Sequence, residues 1–190
     1  MFQIITDIAD LQPEYLKEHP EIAIASPVVL ATKGNDTHEF FESLVSPDGF
    51  MEIDEYFRKG YTVSSSMPVT RGEGNIPPSV EEIARKALDQ GKDILYLAVN
   101  STISGAYTAV SPLFDELGEE YPDRKLICMD SECASTGLNM LIRDLIDTGI
   151  TDITEAEKYV IENRAQIGHI FSSLRQLGYL ADHSNFSELD

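Results

Sequence analysis

Apolar residues occur in short blocks along this chain, and the blocks predict strands that alternate with helices. Almost continuously apolar runs predict buried strands at residues 94–99 and 126–130, and a strand is also predicted at residues 2–7. Another strand is predicted at residues 22–30, although this segment contains Pro27. The alternation predicts an α/β fold, with a mainly parallel sheet that carries helices on both of its faces.

Helices are predicted where apolar residues recur every three or four positions. Two of them begin with a capping box, formed by Ser79 with Glu82 and by Thr154 with Glu157. Further helices are predicted at residues 39–44, 53–59, 104–121, 133–148 and 173–181, and a last strand at 168–171. Residues 61–79 are polar and rich in Gly and Pro, which predicts a long loop of the kind that often binds ligands.

The composition predicts a single domain with an acidic surface. The chain has 190 residues, 42% of them apolar, which is enough for one domain with its own core. We predict that this domain covers residues 1–180 and that residues 181–190 form a polar tail. The formal net charge of −19 repels nucleic acid and anionic lipid headgroups, so neither is expected as a general partner. An anionic ligand would therefore have to be held by local dipoles instead of a basic surface.

The sequence contains no apolar run long enough to span a membrane, and its N-terminus lacks the pattern of a signal peptide. A cytoplasmic location is therefore predicted. We expect no disulfide between Cys128 and Cys133, and the two cysteines and four histidines show no metal-ligand spacing. No metal or other cofactor is predicted.

Two clusters of hydroxyl and amide side chains are the strongest candidates for a binding site. In parallel sheets, ligands collect at the carboxyl ends of strands, where the first turn of a helix presents unpaired N–H groups. Glycine lets a ligand approach the backbone, and serine hydroxyls donate hydrogen bonds without adding charge. These features together predict a site for a carboxylate. The clusters contain Ser64, Ser65 and Ser66, and, directly after the strand at 94–99, Asn100, Ser101, Thr102, Ser104 and Gly105.

Helix capping is the competing explanation for these hydroxyl groups. Ser and Thr are favoured caps, but one cap accounts for one hydroxyl and leaves the rest of the second cluster unexplained. Asp130, Ser131 and Glu132 follow another predicted strand and are interpreted as a cap for the next helix. Cys133 is interpreted as a small packing residue, although a helix N-terminus could lower the pKa of its thiol.

The order of these motifs resembles the DegV family, the bacterial fatty-acid-binding proteins of the EDD fold. The family pattern has an Asp near the end of the first strand, then T-S-Q-P, then S-S-x-x-S-G-T-Y, then D-S followed by S-x-G-L-G. Motif order and spacing agree across roughly residues 1–180, and the ordered set is more specific than any single motif. The matching residues are Asp7, Asp10 and Leu11, then Ser65, Ser66, Met67 and Pro68, then residues 100–107, and then Asp130, Ser131, Ser135, Thr136, Gly137 and Leu138.

The resemblance implies that the chain binds a long-chain fatty acid, whose tail lies in an apolar tunnel. Ser65 would take the role of the family's Thr, and Ser101 and Ser104 the roles of its serines, with Gly105 at the helix start. In relatives, the acyl group is offered to a separate ATP-dependent fatty acid kinase, and the binding subunit has no independent turnover. The carboxylate-binding residues predicted in this way are Ser65, Ser66, Asn100, Ser101, Ser104 and Gly105.

Several residues depart from the family pattern. Ile8 stands where a small polar residue is expected, Asn100 replaces the first serine of the second motif, and Ala106 replaces its threonine. Residues 181–185 stand where the family has a Gly-Gly-Arg turn, which puts an arginine contact to a phosphorylated acyl group in doubt. The family's second lobe is absent from this sequence. We therefore expect either an N-terminal fragment or a member in which a homodimer replaces the lobe.

Two other functions stay open at the level of the sequence. The altered turn and the absent lobe favour a degenerate interaction domain that binds no ligand, whose acidic surface serves solubility or a basic partner. A small hydrolase with Ser101 or Ser104 as its nucleophile is a weaker alternative, because no histidine occupies a suitable place for the activating base.

Overall fold

The computed structural model describes residues 1–7, 11–41, 47–70 and 78–168. Within these ranges the strands are Phe2–Thr6 (β1), Ile22–Ile24 (β2), Val28–Lys33 (β3), Asp36–Phe41 (β4), Thr62–Ser66 (β5), Asp93–Ala98 (β6) and Leu126–Asp130 (β7). The helices are Pro13–Glu18 (α1), Pro47–Arg58 (α2), Val80–Asp89 (α3), Ala106–Glu120 (α4), Ser135–Asp147 (α5) and Ile153–Asn163 (α6), followed by a 3-10 turn at Arg164–Gln166.

Four strands form a parallel sheet in the order β2-β1-β6-β7. Thr6 of β1 lies opposite Leu97 of β6, which in turn lies opposite Met129 of β7. The chain moves outward from β1 to β2 on one side and from β6 to β7 on the other, so the direction of winding changes between β1 and β6. In open α/β sheets, ligands bind at such a change of direction, outside the carboxyl ends of the strands.

Both faces of the parallel sheet are covered by helices, as the continuously apolar strands predicted. On one face, Leu95 of β6 packs with residues of α1, α5 and α6, including Leu138 and Val160. On the other face, Ile94 and Tyr96 pack with α3 and α4. The predicted α/β fold, with a mainly parallel sheet and helices on both of its faces, is confirmed.

Three strands form a separate antiparallel sheet in the order β4-β3-β5, which the sequence pattern did not predict. The strand predicted at 22–30 is wrong as a single element, because Pro27 separates β2 of the parallel sheet from β3 of the antiparallel sheet. The helix predicted at 39–44 is wrong over residues 39–41, which belong to β4. Part of the loop predicted at 61–79 is also a strand, β5, whose backbone pairs with β3.

A two-residue turn joins β3 to β4 and fixes their register. Lys33 lies opposite Asp36, with Gly34 and Asn35 between them, and Gly34 has a φ of 62°. Glycine adopts this positive φ without strain, and Gly followed by Asn between two extended runs indicates a hairpin. The dipeptide Gly34-Asn35 in the sequence therefore indicated that a second strand, β4, follows β3.

Most predicted helices are present, with differences at their caps. Ser79 and Glu82 form the predicted capping box, in which Glu82 N–H donates to Ser79 Oγ at 3.2 Å and Ser79 N–H donates to Glu82 Oε2 at 2.8 Å. The second predicted capping box is wrong, because Asp152 caps α6 and its carboxylate accepts from the N–H groups of Thr154 and Glu155.

Helix α4 continues through Pro112, and α5 begins at Ser135 instead of at Cys133. Predictions that fall on residues 8–10 and 169–190 lie outside the described residues. No helix in the described ranges is long and apolar enough to cross a membrane. Both cysteines are free thiols, as predicted, and the described residues contain no cluster of His, Cys, Asp or Glu that could hold a metal ion.

Candidate functional site

The carboxyl ends of β1 and β6 are tied together by a buried carboxylate. Asp7 follows β1, is only 1% exposed, and accepts a hydrogen bond of 2.8 Å at Oδ1 from Val99 N–H. One residue earlier, Thr6 Oγ1 donates to Leu97 O at 2.8 Å. These bonds fix the two strand ends on either side of the change in winding direction, where a ligand is expected.

A cleft of about 570 Å³ opens at this end of the parallel sheet and is walled on its other side by the antiparallel sheet. Its walls come from β5 with neighbouring residues of β3, from α2, and from the segment that joins β6 to α4. Most of the lining residues are apolar and the polar ones are serines, so the cleft combines an apolar wall with hydroxyl donors. The lining residues are Pro27, Val29, Ile53, Val63, Ser64, Ser65, Ser66, Met67, Val99, Ile103, Ser104, Gly105 and Ala106.

Ser65 reaches the cleft because of its register in the antiparallel sheet. It lies opposite Val29 of β3, and both residues line the cleft. Side chains two positions apart on a strand point to the same face, so Val63 shares the face of Ser65. The three serines of β5 are exposed, and within the described ranges their hydroxyls have no hydrogen-bond partner. These hydroxyls can therefore serve a ligand without breaking a bond of the fold.

Ser104 combines a structural hydrogen bond with a hydroxyl hydrogen that can serve a ligand. Its Oγ accepts from Ala106 N–H at 3.2 Å, at the first turn of α4. Because a serine hydroxyl both accepts and donates, its hydrogen stays available for a second partner in the cleft. The first-turn N–H groups of α4 add donors and a dipole that favours negative charge. Capping and anion binding are thus compatible at this residue.

Gly105 leaves open space at the start of α4. Its φ is −80°, which any residue can adopt, and a Cβ at this position would meet no atom of the described chain within 4 Å. Neither the backbone conformation nor packing therefore requires glycine here. The missing side chain leaves room for a group in the cleft to approach the backbone closely.

The side chain of Asn100 is occupied within its own loop. Its Oδ1 accepts from the N–H and the hydroxyl of Thr102 at 2.8 and 2.7 Å, and its Nδ2 donates to Glu132 O at 3.1 Å. Its backbone N–H donates to Cys133 O at 2.8 Å, and its carbonyl accepts from Ser104 N–H at 3.1 Å. Asn100 is not one of the residues that line the cleft, so its observed contacts shape the loop instead.

The backbone N–H of Ser101 already faces a negatively charged group of the same chain, the carboxylate of Asp130. Ser101 N–H lies 3.2 Å from each carboxylate oxygen of Asp130. The residue is exposed and does not line the cleft. The structure thus brings only some of the predicted site residues to one place. Those that line the cleft are Ser65, Ser66, Ser104 and Gly105.

Within the described part of the chain, no lysine or arginine lines the cleft. The donors available to an anion are hydroxyls and backbone N–H groups, as the net charge of −19 led us to expect. In the turn after β7, burial and the carboxylates of Glu132 and Asp130 raise the pKa of the Cys133 thiol to about 11. A protonated, fully buried thiol agrees with the interpretation of Cys133 as a packing residue.

Sequence reasoning missed the apolar wall of the cleft. Val29, Ile53 and Val63 come from β3, α2 and β5, and they meet only because the antiparallel sheet assembles. Ile103, which is 44% exposed, adds an apolar side chain from the loop before α4. The strand β5 gave no apolar alternation in the sequence, because three consecutive serines lie between Val63 and Met67.

No protein-family model matches this sequence. The chain is similar to the DegV domain-containing protein YteA of Lactococcus lactis, with 29% identity over 146 residues. The alignment covers 76% of this chain and 46% of that protein.

Solved structures share the fold at lower sequence identity. A stearic acid-binding protein from Eubacterium ventriosum matches with a TM-score of 0.64 at 20% identity, covering 84% of this chain and 52% of that one. The fatty acid kinase (Fak) B3 protein of Streptococcus pneumoniae, loaded with linoleic acid, matches with a TM-score of 0.59 at 16% identity, covering 87% and 54%. The chain spans about half the length of the proteins it matches.

Proposed function

We propose that this chain is a member of the DegV family, which its motif order and its similarity to DegV domain-containing proteins support, and that it binds a long-chain fatty acid in the cleft. The carboxylate lies against Ser65, Ser104 and the first turn of α4, and the tail lies along the apolar wall. Ser66 and Gly105 also line the cleft. The observation that carries the proposal is that the two serine-bearing segments meet in one largely apolar cleft.

The head group needs donors that do not come from cationic side chains. A carboxylate moved into an apolar cleft without hydrogen bonds would bind at a prohibitive cost in desolvation. The hydroxyls of Ser65 and Ser104 and the first-turn N–H groups of α4 can replace water around it. Hydrogen bonds to an ionised acceptor are stronger than neutral ones, so a few donors are sufficient to fix its orientation.

The tail supplies most of the affinity. Burying one methylene group is worth about 0.8 kcal/mol, so a chain of a dozen or more carbons contributes far more than the head group. The cleft of about 570 Å³ falls in the range of roughly 300–1,000 Å³ that is typical of small-molecule sites. Val29, Ile53, Val63 and Ile103 provide apolar contact along its walls.

We further propose that the bound acid is offered to a separate fatty acid kinase and is not turned over by this chain. The likeness to a fatty acid kinase B3 protein supports a partner of this kind. Hydrolysis by Ser104 would need an activating base, and no histidine lines the cleft in the described part of the chain. The cytoplasmic location, the domain bounds 1–180 and 181–190, and the homodimer stay predictions.

Native mass spectrometry of the full chain purified from bacteria without delipidation tests the binding proposal. We expect a population heavier than the apoprotein by the mass of a long-chain fatty acid, which organic extraction removes. Added palmitate or oleate should restore the heavier species at a ratio of one per chain.

Repeated preparations that show neither a co-purified acid nor uptake of an added one would contradict the proposal. That result would favour the alternative of a non-ligand-binding interaction domain. Capture of a basic protein partner by the same ligand-free chain would then support the alternative directly, because the acidic surface is its motivating feature.

A further inference from the structure

The loop between β6 and α4 is docked onto the turn that follows β7. Asn100 N–H donates to Cys133 O at 2.8 Å, and Asn100 Nδ2 donates to Glu132 O at 3.1 Å. Ser101 N–H faces the Asp130 carboxylate at 3.2 Å. These bonds, made by two adjacent loop residues, fix the position of the loop relative to β7.

This turn contains backbone strain and is held by several internal contacts. Glu132 has a φ of 54° and Ser135 a φ of 46°, in the left-handed region that residues other than glycine rarely adopt. Such residues persist where the surrounding contacts over-determine their conformation. Asp130 Oδ1 accepts from Glu132 N–H at 2.9 Å, and Ser131 Oγ accepts from Cys133 N–H at 3.1 Å.

One arginine supports the turn from the end of α6. Arg164 Nη1 donates to Asp130 O at 2.6 Å, and its Nη2 forms an ion pair with Glu132 Oε1 at 2.9 Å. The guanidinium group is planar and holds its two partners in a fixed geometry that a lysine cannot reproduce. Its side chain is 25% exposed, and it does not line the cleft.

From this geometry we infer that Arg164 is a positioning residue for the fatty-acid head group. Arg164 holds the turn through Asp130 and Glu132, the turn holds the loop, and the loop places Ser104 and Gly105 at the cleft. The inference rests on the proposed function, since the head group is that of the proposed ligand. Arg164 acts only through other residues and makes no contact with the ligand.

The test replaces Arg164 by Met, which keeps the length of the side chain but removes both donors. In the R164M variant of the 190-residue chain we expect affinity for palmitate to fall about tenfold, the loss expected when about one charge-assisted hydrogen bond is removed. Binding of hexadecan-1-ol, which has the same tail but no carboxylate, should change less than twofold. R164K, which can keep one of the two contacts, should recover part of the loss.

The matched control is Arg124, which also donates to a backbone carbonyl, Gly91 O, at 2.5 Å. This contact joins the segments before β6 and β7, at the opposite end of the parallel sheet. R124M should therefore leave palmitate affinity within twofold of the original chain. Equal losses for palmitate and hexadecanol in R164M, or equal losses in R164M and R124M, would overturn the inference.

Hydrogen exchange of the ligand-free chain separates this inference from the proposed function. In R164M, the amide protons of Asn100 and Ser101 should exchange at least tenfold faster, while those of Leu95 and Leu97 in β6 stay unchanged. E132Q, which keeps the Oε1 acceptor but removes the charge, should give a smaller acceleration. If the original chain binds no fatty acid, the exchange data alone decide whether Arg164 holds the loop. Unchanged exchange at Asn100 and Ser101 overturns the inference.

Discussion

The two serine-bearing walls of the cleft are built on different principles. On β5, the serines project from an edge strand, and their hydroxyls are held in place only by strand register. In the loop after β6, nearly every polar group is engaged, from the side chain of Asn100 to the N–H of Ser101 and the Oγ of Ser104. A hydroxyl or amide group near a pocket can therefore either be available to bind a ligand or be engaged in hydrogen bonds that stabilise the protein. The number of hydrogen bonds that the group already makes within the protein distinguishes the two roles.

This difference predicts which substitutions affect stability and which affect binding. Changes in the loop should lower the free energy of unfolding, because they leave donors and acceptors without partners. Changes on β5 should leave the fold intact and weaken the ligand, because those hydroxyls have no partner within the described residues.

Asn100→Ala should give the largest effect, and on stability. The substitution removes three side-chain hydrogen bonds, each worth about 1 kcal/mol net, so we expect a loss of about 3 kcal/mol in the free energy of unfolding. Chemical denaturation measures this. Asn163→Ala is the control, because its Nδ2 makes one bond inside α6, to Tyr159 O at 2.8 Å, and should cost less than about 1 kcal/mol. If Asn100→Ala weakened fatty-acid binding without lowering the free energy of unfolding, the side chain of Asn100 would bind the ligand instead of stabilising the loop.

Gly105→Ala should give the next largest effect, and on binding. The added methyl group fits the backbone and meets no protein atom, but it occupies the space next to the α4 N–H groups. We expect about a tenfold loss in fatty-acid affinity, equivalent to about 1.4 kcal/mol, measured by isothermal titration calorimetry. Gly118→Ala, also free of contacts but inside α4, should raise stability by about 1 kcal/mol and leave affinity unchanged. Equal affinity of Gly105→Ala and the original chain would place the head group elsewhere.

Ser65→Ala should have a smaller effect that is confined to binding. Loss of one hydrogen bond to the ligand predicts a loss of about 1 kcal/mol in binding free energy, or roughly fivefold in affinity. The same calorimetric titration, with thermal unfolding in parallel, should show an unchanged unfolding temperature. Thr62→Ala, an exposed hydroxyl on the same strand that does not line the cleft, is the control. If Ser65→Ala lowered the unfolding temperature and Thr62→Ala did not, the Ser65 hydroxyl would stabilise the fold instead of binding the ligand.

The smallest effect concerns pH and the N-terminal cap of α6, the helix that directly precedes Arg164. Hydrogen bonds from the N–H groups of Glu155 and Thr154 lower the pKa of Asp152 from its ordinary 3.8. A lowered pKa in the folded state means that the stabilisation is complete above pH 3.8 and is lost as pH falls through the folded value. Asp152→Asn should therefore lose less stability on acidification below about pH 4 than the original chain does. Acid unfolding followed by circular dichroism measures the difference, and parallel curves for the two proteins would contradict it.

The parallel sheet could be predicted from the sequence because its strands satisfy a local rule. Runs such as residues 94–99 are apolar on both faces, and only a strand covered by helices on both sides buries all of them. The capping box at Ser79 is equally local. The antiparallel sheet was not predicted because β5 is stabilised by pairing with β3, and this tertiary contact overrides the low strand propensity of three serines.

The candidate site could be predicted in outline only. Hydroxyl and glycine residues at strand ends indicated Ser65, Ser104 and Gly105, which line the cleft. The same logic also selected Asn100 and Ser101, because residue type does not show that Asp130, far along the chain, already occupies the Ser101 N–H. Which partner a polar group has is decided by the fold and not by its neighbours in sequence.

The two walls of the cleft belong to different sheets, and this has a consequence for the size of ligand that the cleft accepts. The link from β2 to β3 is short and contains Pro27, and among the described residues no strand belongs to both sheets. A change in the angle between the sheets would therefore alter the width of the cleft without breaking a hydrogen bond inside either sheet. We therefore expect the proposed fatty-acid site to accept both straight saturated and bent unsaturated acyl chains with the same set of side chains.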